Sequence, residues 1–127
     1  MSIEYSFSQN GSRIETFPKG ELSVEGTIDY FNRLAGDKNI IKGATEIVNF
    51  KDVTDFKFSS SDALKISSNY LTPKTTKMIR ATIFVCESDH AYVIGNMMQA
   101  YHKFKNPRYK VVVVRSEGEI EKAINKL

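Results

Sequence analysis

"FKDVTDFKFSSSDALKI", Phe50 to Ile66, decides how the chain is read. The two sides of this stretch have different periods. "TEIVNF" (Thr45–Phe50) is short and apolar, as a strand buried on both faces requires. Beyond the serines, Ala63, Ile66 and Tyr70 share one helical face, Leu64 and Leu71 lie beside it, and Pro73 closes the helix. A strand that leads through a polar turn into a helix is half of a parallel crossover. Ser59, Ser60 and Ser61 stand at that joint. They read either as the cap of the helix, with Ser60 or Ser61 at the capping position, or as a chemical site such as a phosphate acceptor.

The same grammar repeats outward from this joint. "MIRATIFVC" (Met78–Cys86) is another apolar run. It is followed by Ile94, Met97, Met98, Tyr101 and Phe104 at helical spacing, with Pro107 as the stop. "YKVVVVR" (Tyr109–Arg115) is the last strand, and Ile120, Ala123, Ile124 and Leu127 make the closing helix. Toward the start, "IEYSFSQ" (Ile3–Gln9) alternates apolar and polar residues, Asn10-Gly11 signals a tight hairpin turn, and "RIETF" (Arg13–Phe17) supplies the partner strand. Ser23 is placed to cap the first helix, whose apolar face is Ile28, Phe31, Leu34 and Ala35, and Gly36 ends it. The order is ββαβαβαβα. It predicts an α/β fold with a single mixed, mostly parallel five-stranded sheet and about four helices in one domain, residues 1–127.

Bulk properties narrow the function. At 127 residues the prior is one domain, and 41% apolar residues suffice for a core without covalent staples. The 18 basic and 15 acidic residues leave a net charge of only +3, weak for nucleic-acid binding. "HKFKNPRYK" (His102–Lys110) does cluster Lys103, Lys105, Arg108 and Lys110, but cations at a helix C-terminus are ordinary. With one cysteine, Cys86, no disulfide can form within the chain, and the residue reads as a small core side chain. The first residues lack a basic region before a long apolar core, and no apolar run approaches the ~20 residues of a membrane span. The expected location is the cytoplasm.

Catalytic groups do not assemble. His90 and His102 are the only histidines and lie about three turns apart on one helix, too far to share a metal ion or complete a serine triad. No glycine-rich dinucleotide or phosphate loop occurs, so no cofactor is expected. Asp52 and Asp55 in "KDVTD" have neither a basic nor a histidine partner in the pattern and read as turn formers. Ligands of open α/β sheets bind beyond the carboxyl ends of the strands. Here that edge gathers Asp52, Thr54, Asp55, Ser88, Asp89, His90 and Ser116 at helix starts, where free amides favour an anion. The helix with Met97, Met98, Ile94 and Tyr101 offers a second candidate, an apolar slot beneath it, since methionine adapts to irregular gaps.

The succession of "GEL" (Gly20–Leu22), "IVNFKDVTDF" (Ile47–Phe56), the serines Ser59–Ser61 and "EIEKAINKL" (Glu119–Leu127) resembles the STAS fold of bacterial anti-sigma-factor antagonists of the SpoIIAA type. "RATIFVCESDHAYVIGNMMQAY" and "YKVVVVRSEGEIEKAI" are similar to the stand-alone SpoIIAA-like branch, sometimes grouped with lipid-transfer CRAL-TRIO domains. The resemblance implies a non-catalytic regulatory module with a protein partner. It also implies a phosphorylated serine at the start of the second helix, by position Ser60 or Ser61. The family's Asp-Ser-Ser-Gly-Leu type of stretch is "FSSSDAL" in this chain. The alternative is a carrier or binder of a lipid or another hydrophobic small molecule.

Overall fold

The computed structural model describes residues 3–57, 59–70, 78–105 and 109–127. The stops expected at Pro73 and Pro107 lie outside them. The main sheet has five strands: β1 (Glu4–Ser8), β2 (Arg13–Phe17), β4 (Ala44–Asn49), β6 (Ile79–Val85) and β7 (Lys110–Val114). They stand side by side in that order. β1 runs antiparallel to β2, and every other pairing in this sheet is parallel. The hairpin therefore lies at one edge. Its connection is longer than a two-residue turn. Ser8 pairs with Arg13, and Gln9, Asn10 and Gly11 all take left-handed backbone angles between them.

Two strands were not legible as strands. β3 (Lys19–Ser23) and β5 (Asp52–Lys57) pair in parallel as a separate two-stranded sheet. Both stretches alternate charged with apolar residues over a short span, so they look like polar connections. Their apolar members decide the matter: Leu22 is buried, and Val53 and Phe56 pack on the main core. The register slips between Gly20 and Glu21, and Gly20 supplies the positive φ of 69° that the bulge requires. Asp52 and Asp55 thus lie on a strand and are not turn formers.

Four helices occur among the described residues: α1 (Val24–Ala35), α2 (Ser60–Tyr70), α3 (Asp89–Lys105) and α4 (Ile120–Asn125). Ser23 caps α1, its hydroxyl accepting the amide of Gly26 at 3.0 Å. Strand register assigns the faces. Ile14, Glu46, Thr82 and Val111 form one row across four strands, and Thr16, Val48, Phe84 and Val113 form the next. This face looks toward α1, α2 and α3 and carries the larger core. Ile47, Ile83, Val85 and Val114 point the other way and are covered by α4 through Ala123, Ile120 and Ile124. Ile83 is fully buried and Val48 nearly so, whereas Val112 keeps partial exposure under this single short helix.

Helix α3 lies close on the sheet because Gly95 has no side chain. A Cβ there would sit 2.9 Å from Cys86 Sγ. Cys86 is itself fully buried, and burial pushes its thiol pKa up to about 12. Helix α2 packs mainly on α1 and α3. The space between α2 and the sheet is a cavity.

Candidate functional site

The cap of α2 falls on Ser59, one residue before the expected position. The Ser59 hydroxyl accepts the amide of Asp62 at 3.2 Å, and the Asp62 carboxylate accepts the amide of Ser59 at 3.2 Å. This reciprocal pair is a capping box with aspartate in the glutamate's usual role. Ser60 and Ser61 lie inside the first turn, exposed, and the Ser61 hydroxyl is 3.0 Å from that of Ser59. The three serines therefore divide into one that holds the helix and two that face solvent.

The strand-end residues form two groups. Asp55 pairs with Lys57 at 3.0 Å, and this contact holds its carboxyl below the usual range. The aspartate that looked isolated has a basic partner two residues along the strand. Asp52 and Thr54 are exposed on β5. Phe56 meets the His90 ring edge-on at 5.0 Å, which sets the end of β5 beside the start of α3. Ser59 follows Phe56 by three residues, a reach of at most about 11 Å of chain. The starts of α2 and α3 thus share one edge with Asp55, Lys57 and His90. The Ser88 hydroxyl accepts the amide of Ala91 at 3.1 Å and caps α3.

The second group lies at the ends of β4, β6 and β7. Arg115 donates to Asp89 at 2.9 Å and to the carbonyl of Glu87 at 2.9 Å, and its guanidinium covers the Tyr92 ring at 4.2 Å. Glu117 accepts from Asn49 at 2.8 Å and pairs with Lys51 at 3.3 Å. Ser116 precedes the 3-10 turn Glu117–Glu119 and makes no side-chain cap bond. His102 stands apart from all of these, buried on the last part of α3.

A buried polar network went unread in the sequence. Glu46 is 2% exposed in the middle of β4. One of its oxygens accepts from the Tyr30 hydroxyl, and the other accepts from Thr82 at 2.7 Å. Each hydroxyl has one proton, so the remaining directions follow. Thr16 donates to Tyr30 across 2.8 Å, and Tyr109 donates to Thr82 across 2.5 Å. Two relays of hydroxyls converge on one carboxylate. Burial, then the Glu46 charge, raises the pKa of both Tyr30 and Tyr109, which keeps their protons in place. The one readable signal was an acid inside a strand that reads as buried.

These groups face the cavity under α2. It is partly enclosed, with about 60 Å³ open to the centre of a water-sized molecule. Its walls include Phe50, Phe84, Ile66 from α2, and Ile94 and Met98 from α3. Met97 and Tyr101, expected in the same slot, are not among its lining residues. His102 also lines it, is 3% exposed, and its Nδ1 has no hydrogen-bond partner among the described residues. Desolvation lowers the His102 pKa to about 4, so the ring is neutral at ordinary pH. No cluster of potential metal ligands and no helix long and apolar enough to cross a membrane occurs among the described residues.

No family model matches the chain, and no curated protein matches it. Solved structures share its fold, two of them as follows. One is a protein of the DUF3478 family with a SpoIIAA-like fold from Shewanella loihica PV-4. It is 13% identical, with 99% of this chain and 92% of that one aligned at a TM-score of 0.57. The other is the anti-sigma factor antagonist SpoIIAA in its unphosphorylated form. It is 11% identical, with 98% and 96% aligned at a TM-score of 0.58. The chain has a SpoIIAA-like α/β fold over nearly its whole length.

Proposed function

We propose that this chain is a non-catalytic regulatory module that binds a protein partner at the edge where α2 and α3 begin. The observation that carries the reading is the exposed pair Ser60 and Ser61, set at the start of α2 in a fold shared with an anti-sigma factor antagonist. Asp55, Lys57 and His90 lie on the same edge as that start and bring both signs of charge, suited to orienting a partner. Ser60 or Ser61 is the residue on which added phosphate would change association, since neither holds the helix cap. The absence of catalysis is supported by the pairing of the polar groups. Asp55 and Asp89 are tied to Lys57 and Arg115, and the two histidines belong to different regions.

Affinity capture with purified protein tests this. Wild type, Ser60→Asp, Ser61→Asp and Lys57→Glu are compared with Lys122→Glu on α4 as the control. A protein retained in stoichiometric amount by wild type and control, and reduced at least tenfold by an edge variant, is the expected result. Retention indifferent to all edge variants contradicts it. A second reading, binding of a hydrophobic small molecule or lipid, is favoured by the partly enclosed apolar cavity beneath α2.

A further inference from the structure

The cavity joins two features that core packing alone does not require together. Its walls are aromatic and aliphatic, with Phe50 and Phe84 stacked at 5.5 Å between centroids and Met98 able to adapt beside them. At its polar side is a buried histidine whose Nδ1 lacks a partner among the described residues. Buried polar atoms are ordinarily bonded, and an unmade bond is costly. The open volume of about 60 Å³ exceeds the ~10–15 Å³ that a cavity needs to admit one water. We propose that this cavity binds a small neutral molecule made of one short apolar chain and one hydroxyl, with the hydroxyl on His102 Nδ1. The proposal rests on the hydrophobic-ligand reading above and narrows it.

The charge, hydrogen-bonding capacity and size of the cavity set that chemistry. An anion is disfavoured, because the Glu46 carboxylate lies in the same cavity lining and its two oxygens already accept from Tyr30 and Thr82. A hydroxyl both donates and accepts, so it satisfies Nδ1 in either tautomer of the neutral ring. The apolar part is limited to a short chain, because the open volume is well below the ~150 Å³ of a cavity that takes a benzene ring, with Ile66 of α2 above it and Phe84 of the sheet below. Because α2 carries Ile66 at the cavity and Ser60 at the outer edge, an occupant touches the same helix that the partner surface uses.

1-Propanol and 1-chloropropane are the probes, since they share a chain of similar size and only the first has a hydroxyl. Methyl NMR of the full chain would follow Ile66, Val48 and Ile94 during titration with each, for wild type and for His102→Phe. Transfer from water favours the chloride in both proteins, so the readout is the ratio of the two affinities. The ratio of 1-propanol to 1-chloropropane affinity is expected to be at least about fivefold higher in wild type than in His102→Phe, by the strength of one buried hydrogen bond, with 1-chloropropane bound by both. An unchanged ratio would overturn the hydroxyl site and leave the hydrophobic-ligand reading standing. Silence of all three methyls toward both probes would overturn both. If His102→Phe does not fold, His102→Leu takes its place in the same comparison.

Discussion

Ser59 and His102 show how one side chain's neighbours set its role. Ser59 and Asp62 exchange bonds at the start of α2, so Ser59→Ala should cost about 0.5–2 kcal/mol in urea unfolding. Ser60→Ala and Ser61→Ala, exposed within the first turn, should stay within about 0.5 kcal/mol. Equal losses at all three would show that the cap is shared. His102 makes a pH prediction. Its folded pKa of about 4 lies below the ordinary value near 6.5, so the unfolded chain binds the extra proton between those values. Stability should fall as pH drops from about 6.5 toward about 4. In His102→Phe that part of the slope should disappear, leaving the contribution of carboxylates such as Asp37. Identical pH slopes in both proteins would show that the ring is solvated. In the sequence, the serine run announced a helix start but not which serine caps it. A capping box is a matter of two reciprocal bonds, and the run offered three similar candidates. Glu46 was harder still, because nothing in "ATEIVNF" names the tyrosines and threonines that satisfy it from four other segments.

Among the elements, the continuous apolar strands were legible because parallel strands covered on both faces need no alternation. β4 is buried at every position, and β6 at all but Arg80. β3 and β5 were hidden because only one side of each reaches the core. The contact between α3 and the sheet turns on Gly95. Replacing it with Ala gains about 1 kcal/mol of helix propensity. The added methyl would meet Cys86 Sγ at 2.9 Å, and overpacking of this kind costs about 1–3 kcal/mol. Gly95→Ala should therefore be neutral to destabilising alone, and stabilising relative to its parent in a Cys86→Ala background. Additive effects in that double-mutant cycle would show that the helix shifts freely away from β6. Ile83 is a simpler case. Fully buried under α4, its change to Ala should cost about 2–5 kcal/mol, and a loss below ~1 kcal/mol would remove β6 from the centre of the core.

At the scale of the whole molecule, the sheet separates two tasks. The face under α4 is closed by aliphatic packing. The opposite face is roofed by three helices and keeps a polar network and a cavity. The helix over that cavity begins at the edge assigned to a partner, so core and surface share one element. The order of elements could be read from alternating strand and helix patterns. The cavity could not, since it arises from how far α2 stands from the sheet. The partner edge makes the central functional claim, and hydrogen–deuterium exchange of the free protein against its captured complex tests it most directly. The account predicts protection confined to residues 52–57, 59–62 and 87–92, with α4 and the hairpin Glu4–Phe17 unchanged. Protection centred on α4 or the hairpin, with the starts of α2 and α3 exchanging as in the free protein, would contradict it.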